Sequence, residues 1–426
     1  MLRPKHYRHL SFSALLLCAM IAPARSQTTL DVSPPLALVG GAVYASAVEP
    51  PIRDGVVLVD GGKITAVGER STVKVPPGAK ILDCLGLTIL PGFWNSHVHF
   101  MQRKWQDAAK IPAEELTAQL QAMLTRYGFT SVFDTGSPWE NTRDLRDRIE
   151  SGEVRGPRIR SAGEIIFPKG GAMLSGRLAD AFGMMRAPMP EVSEPGEAVE
   201  IVTRQIDGGV DAIKIYAATW VQPIVVIPPK TFQAIAAEAH RRGKLVLAHP
   251  SNRDGLLAAI EGGADIIVHT APNSGEWDEN LLALMKQKHV ALIPTLKLWK
   301  YETRHDRASL VRGFINSAIR QLRVYQESGG AILFGTDVGY IDDYGPGDEY
   351  AMMSEAGMDF RQILASLTTA PAERFGDSAK LGRIAPGMLA DIAVLEEDPA
   401  SAVRAFAKIR YTLRDGKIIY QASGWP

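Results

Sequence analysis

Residues 211–270 read DAIKIYAATWVQPIVVIPPKTFQAIAAEAHRRGKLVLAHPSNRDGLLAAIEGGADIIVHT. Three short apolar runs, Asp211 to Tyr216, Leu245 to Ala248 and Ile266 to His269, alternate there with two stretches of helical period, Pro229 to Arg242 and Arg253 to Glu261. Strands joined through helices lie parallel, because the crossover carries the chain back to its starting end. The alternation extends upstream through helix Glu114 to Tyr127 and strand Ser131 to Asp134, helix Arg143 to Ser151 and strand Ile159 to Ile166, and helix Glu197 to Gly208. Downstream it continues through helix Asp278 to Lys288, strand Ala291 to Pro294, helix Leu310 to Ser328 and strand Ile332 to Gly335. With Leu87 to His99 as the first strand, the total is eight. Eight such strands predict an α/β fold, a closed (β/α)8 TIM-like barrel. The Pro-rich stretch from Arg186 to Pro195 reads as a loop.

The flanks have a different rhythm. From Leu36 to Ile89 short alternating runs are broken by turn residues such as Asp60-Gly61-Gly62. The pattern returns after Pro386-Gly387 in ADIAVLEE and IRYTLRDGKIIY, with a hairpin turn at Asp415-Gly416. The two ends are expected to pair into a small β-sandwich, residues 27–89 with residues 376–426, bracketing a barrel of residues 90–375.

The 426 residues are 46% hydrophobic and carry 47 basic against 47 acidic side chains. That neutrality gives no electrostatic reason to expect a nucleic acid or an acidic membrane surface as partner. A small molecule is the expected partner, with homo-oligomer formation left open. The N-terminus has a basic stretch (Arg3, Lys5, His6, Arg8, His9), an apolar stretch from Phe12 to Ala22 and small residues at Ala24 and Ser26. This order predicts a signal peptide over residues 1–26, cleaved near Ser26, and an exported protein, periplasmic or secreted. Cys18 raises a lipid-anchored form, but Leu17 stands before it where a small residue is wanted. Without the leader only Cys84 remains, so no internal disulfide is expected. No later run approaches the ~20 apolar residues of a transmembrane helix.

Six side chains stand at predicted strand ends: His97, His99, Lys214, His249, His269 and Asp337. In an α/β barrel those ends meet on one face, where active sites lie. His97 and His99, two apart on a strand, face the same way and can serve one cation. Each residue alone has an ordinary reading: a core or rim histidine, or an aspartate capping a turn. Lys214 in an apolar strand needs a partner, such as Glu164 or Asp337 in a salt bridge. An ammonium is a poor neighbour for a dication, however, and carboxylation of Lys214 by carbon dioxide turns it into an anion able to bridge two metals about 3.5–4 Å apart. A carboxylated Lys214 bridging two divalent ions is therefore expected, with a metal-dependent hydrolase as the leading reading.

The order HxH, Lys, His, His, Asp, carried by LPGFWNSHVH, DAIKIY, LAHP, IVHT and GTD, resembles the amidohydrolase superfamily over nearly the whole mature chain. Within it the chain is most similar to imidazolonepropionase-like proteins, among them prolidase-like and N-acyl amino acid hydrolases. The resemblance implies that His97 and His99 bind the more buried metal, Lys214 bridges, and His249 and His269 bind the second. It also implies that Asp337 binds the first metal and shuttles protons between the attacking hydroxide and the leaving nitrogen. Zinc suits the nitrogen and oxygen donors. The expected substrate is a small amide: an N-acyl amino acid, a dipeptide or an amide-bearing xenobiotic. A lactone, carbamate or cyclic-amide hydrolase is the alternative, followed by a non-catalytic binding protein. Dipeptidase-like relatives carry a TGGHG-type stretch after the third strand, whereas this chain reads Lys169-Gly170-Gly171-Ala172, with Ala where that His would fall. Lys169, Tyr216, Trp220, Arg103 and Lys104 are candidates to line the mouth, where a cation would suit a substrate carboxylate. No GxSxG elbow for a serine nucleophile occurs.

Overall fold

In the computed structural model, the described residues are Met1, 34–172, 184–185, 189–219 and 223–423. The predicted leader with Cys18, and the mouth candidate Trp220, lie outside them. Eight short strands run parallel in two sheets. Phe93–Val98, Phe129–Asp134 and Arg158–Ser161 form one, in that order. Ala212–Tyr216, Leu245–His249, Ile266–Val268, Ala291–Ile293 and Ala331–Ile332 form the other, again in sequence order. Hydrogen bonds join the facing edges at both junctions. The Asp211 amide donates to the Ser161 carbonyl at 2.7 Å and the Tyr216 amide to Ile166 at 2.9 Å. On the other side the Ser96 amide donates to the Phe334 carbonyl at 2.7 Å and the His99 amide to Val338 at 2.8 Å. The result is a TIM-barrel-like α/β arrangement of parallel strands.

Phe93–Val98 and Phe129–Asp134 are buried at every position, as strands covered on both faces are, and the polar side chains of Asn95, Ser96, Thr130, Ser131 and Asp134 are buried with the apolar ones. The helices are amphipathic: Pro195–Asp207 buries Ala198, Ile201, Val202 and Ile206 on one stripe, with Pro195 at its first turn. Arg253–Gly262 starts on Asn252, whose side chain accepts the Gly255 amide, and stops at Gly263 with φ +101°.

The expected first strand, Leu87 to His99, is in fact two strands in two sheets. Thr88–Pro91 pairs antiparallel with Ile392–Leu395, whereas Phe93–Val98 pairs with Phe129–Asp134. The join is Gly92, where a Cβ would meet Thr130 Oγ1 at 2.4 Å and the Asp391 carbonyl carbon at 3.0 Å. Only glycine allows that approach. Within the stretch expected as loop, Glu191–Val192 pairs in parallel with Phe167–Pro168. The helices Leu296–Glu302, Gly347–Glu355, Phe360–Leu367 and Thr369–Arg374 were not expected from the sequence.

Both terminal regions build one eight-stranded sheet. Its order is Lys417–Gln421, Ile409–Arg414, Ile392–Leu395, Thr88–Pro91, Leu36–Val43, Ile52–Asp60 and Lys63–Glu69, with Lys80–Asp83 also paired to Leu36–Val43. Asp415 and Gly416, at φ +49° and +73°, make the tight turn between the last two strands. Leu38, Val43, Val57, Ile89, Ile392 and Leu413 fill this sheet's own core.

Candidate active site

His97 closes the Phe93–Val98 strand and His99 follows it, so both rings enter the same buried space. Their Nε2 atoms are 3.2 Å apart. Asp337 follows the Ala331–Ile332 strand, its amide held by the His97 carbonyl at 2.9 Å. Its Oδ1 lies 3.3 Å from His97 Nε2 and 3.0 Å from His99 Nε2. His269, just past Ile266–Val268, brings Nε2 to 4.0 Å from Asp337 Oδ2. Donor atoms of His97, His269 and Asp337 all fall within 4.8 Å of one another. His249 ends its strand with its ring centroid 4.7 Å from that of His269. Lys214, mid-strand and 1% exposed, lines the same cavity. The six residues predicted from strand ends thus share one cavity of about 310 Å³.

Backbone conformation at this face is unusual. His269 and Asp337 both have positive φ, +78° and +61°. A non-glycine residue held there costs of order 1–3 kcal/mol, and such strain concentrates where function requires an exact direction of a side chain.

The donor set suits a cation. His99 Nδ1 lies 2.6 Å from the Gly136 carbonyl, which can only accept, so Nδ1 carries the hydrogen. In the neutral ring, His99 Nε2 then offers a lone pair toward the Asp337 carboxylate, an acceptor facing an acceptor. His97 Nδ1, His249 Nδ1 and Asp337 Oδ1 are buried without a hydrogen-bond partner. Burial holds the His97 pKa down at about 3 despite Asp337, and pushes His249 and His269 well below the usual histidine range. Burial opposes ionisation of Asp337, but His97 and His99 outweigh it and keep the carboxyl well below its usual range. Neutral imidazoles around a carboxylate are what a divalent ion needs.

Lys214 forms no ion pair or hydrogen bond through its ammonium with any described residue. Neither Glu164 nor Asp337 serves as its salt-bridge partner: Glu164 accepts from the Trp139 amide at 2.9 Å instead. Burial, opposed by the more distant charges of Asp337 and Asp134, lowers the Lys214 pKa to about 7.

A second layer holds the first. Asp134, fully buried, accepts from Ser137 Oγ and Ser161 Oγ, each at 2.5 Å, and from the Gly136 amide at 3.3 Å. It thereby fixes the loop whose Gly136 carbonyl orients His99. Thr295, at φ +43°, brings Oγ1 to 2.6 Å from His269 Nδ1. These partners set ring orientation.

Of the mouth candidates, Tyr216 lines the cavity and stacks on His249 at a centroid distance of 4.2 Å. Lys169 is exposed and Arg103 faces a separate outer groove. Lys104 is bonded to the Tyr344 hydroxyl and lies over the Trp105 ring. The sequence reading missed Trp299, Glu302 and Asp306, which the cavity takes from the Leu296–Glu302 helix and the turns after it, and Tyr340 just beyond Asp337. The run LKLWKYE, made of good helix formers directly after a strand, was the available signal.

Residues 88–419 match the amidohydrolase family. Among curated proteins the chain is similar to ochratoxinase of Aspergillus niger, 25% identical, with 88% of this chain and 86% of that protein covered. Among solved structures it is similar to a Xaa-Pro dipeptidase with bound methionine, at a TM-score of 0.76 and 24% identity, covering 91% of this chain and 100% of that one. A prolidase complexed with N-methylphosphonate-L-proline matches at a TM-score of 0.74 and 25% identity, over 91% and 100% of the two chains. With the family model matching residues 88–419, well over half of the chain, this protein belongs to the amidohydrolase family and is a hydrolase.

Proposed function

We propose that this protein hydrolyses the C–N bond of small amides, such as N-acyl amino acids, dipeptides or amide-bearing xenobiotics, at a centre of two divalent ions. The observation that carries the reading is the convergence of six buried side chains on one cavity, with Lys214 lacking any partner for its ammonium among the described residues. His97, His99 and Asp337 would hold one ion and His249 and His269 the other, with zinc suited to both sets. With a pKa near 7, Lys214 presents much of its side chain as a free amine at neutral pH. That amine can add to carbon dioxide, forming an N–C bond and releasing a proton, and the resulting carbamate replaces a buried cation with a bridging anion. The likeness to proteins described as a dipeptidase and a prolidase supports the choice of an amide bond.

Bound metals supply a water that ionises near neutral pH and a Lewis acid for the carbonyl. The chain's own residues do the rest. Asp337, whose carboxyl stays ionised at neutral pH, accepts the proton of the attacking water and returns it to the leaving nitrogen. Tyr216, flat against His249, lines the cavity and holds that ring in place. Burial of the whole centre excludes bulk water and strengthens these charges.

The same proposal extends to the architecture. The hydrogen bonds across both sheet junctions support a closed eight-stranded barrel over residues 90–375, and the terminal sheet would curl into a β-sandwich of residues 27–89 and 376–426. A leader over residues 1–26 would direct export, which N-terminal sequencing of protein made with the leader in place would check. The functional test is amine release from a panel of N-acyl amino acids and dipeptides by protein purified without chelator. Turnover abolished by chelator and restored by zinc is expected. Turnover of lactones with none of any amide would contradict the reading.

A further inference from the structure

Resting on the amide-hydrolase reading, we infer that the substrate carries a protonated amine or guanidinium, seated against the cavity wall formed by Trp299, Glu302, Asp306, Phe314 and Tyr340. Beyond the six candidate ligands, this wall supplies the charge of the cavity. Its described residues include two carboxylates, Glu302 and Asp306, and no lysine or arginine. The basic side chains near the mouth in sequence lie elsewhere, Lys169 in solvent, Arg103 in an outer groove and Lys104 against Tyr344. Arg304, the cation that acts on Glu302, is turned onto the Tyr301 ring and carbonyl and does not line the cavity.

Glu302 ends the Leu296–Glu302 helix, half-buried, and its Oε1 accepts the Tyr340 hydroxyl at 3.0 Å. Neither Glu302 nor Asp306 forms an ion pair with a described residue. Burial raises the Glu302 pKa against the Tyr340 hydrogen bond and Arg304, with the nearby Asp337 adding to the rise. A carboxylate in that position is stabilised by an arriving cation. Aromatic rings complete the wall: Trp299 sits edge-on to His269 at 5.9 Å and to Phe314 at 5.5 Å. Ring faces beside carboxylates attract ammonium and guanidinium groups and do nothing for an anion. The cavity, about 310 Å³, matches a small substrate.

The test uses the metal-loaded full chain and N-acetylated dipeptides matched in length, whose only cation is the side chain, ending in lysine or arginine, in norleucine or glutamine, or in glutamate. The basic members should exceed their neutral counterparts in kcat/KM by about tenfold, with the acidic ones lowest. Glu302→Gln should cut the basic preference several-fold through KM, and Asp306→Asn, being exposed, by less. Raised ionic strength should act in the same direction. Equal or better turnover of neutral or acidic members, or a basic preference undiminished in both variants, would overturn the inference. If no dipeptide is turned over, the amide reading fails first. Calorimetric binding of arginine amide to the native protein and to Glu302→Gln then decides the wall, weaker binding in the variant supporting it and equal binding refuting it.

Discussion

At the scale of single residues, the six candidate ligands were legible in the sequence because a barrel strand ends where its chemistry sits. Period two put His97 and His99 on one face, and each apolar run stopped on a polar residue. What holds them was not legible, because Asp134 reaches His99 only through the Gly136 carbonyl and two serines, one in the loop after its own strand and one on the next strand. Asp134→Ala should lower metal affinity by about 10–100-fold, read by competition with a chromophoric chelator. Unaltered affinity would detach this network from the site. Gly339 makes a second residue-scale case. At φ +98°, a Cβ on it would lie 1.8 Å from the His99 carbonyl oxygen. Gly339→Ala should displace His99 and reduce activity by at least about tenfold, whereas a fully active variant would contradict the close approach.

At the scale of elements, the short Leu296–Glu302 helix was hidden because its start is fixed from far away. Glu349, fully buried, accepts the Leu296 amide at 3.0 Å and the Lys297 amide at 2.7 Å, so the helix N-terminus depends on a residue some fifty positions later. Lys297 in turn bonds the Gly345 carbonyl at 2.6 Å, tying that helix to the loop after Tyr340. Burial raises the Glu349 pKa from the ordinary carboxyl value of 4.5 to about 7, against the pull of those amides and of Lys297. A raised carboxyl pKa favours the protonated folded state. Its contribution is complete below pH 4.5 and is lost as the pH rises through about 7. Native protein should therefore lose about 3 kcal/mol relative to Glu349→Gln across that window, measured by denaturant unfolding at stepped pH. Parallel pH curves for the two proteins would contradict it. The split of the first strand at Gly92 was equally hidden, since both halves are extended and both are buried.

At the scale of the whole molecule, the repeat of strand and helix made the α/β class readable, and the turn-rich ends made the β module readable. The order of the terminal sheet was not, because Thr88–Pro91 joins it from a run that looked continuous with the barrel. Arg158 fastens the parallel strands to the terminal region: Nη1 meets Asp391 at 2.9 Å and Nη2 meets Asp415 at 3.0 Å. Arg158→Ala leaves Asp391 buried without its cation and should cost about 3 kcal/mol in chemical unfolding, with no loss meaning the pair does not couple the two regions. The central claim is the bridged two-metal centre, and the direct test is metal content by mass spectrometry on native protein and Lys214→Ala, both purified without chelator. The account predicts about two ions per native chain and one or fewer in the variant, with 13C-labelled bicarbonate giving a carbamate NMR signal in the native protein alone. Equal metal content in the two proteins and no carbamate signal would contradict it.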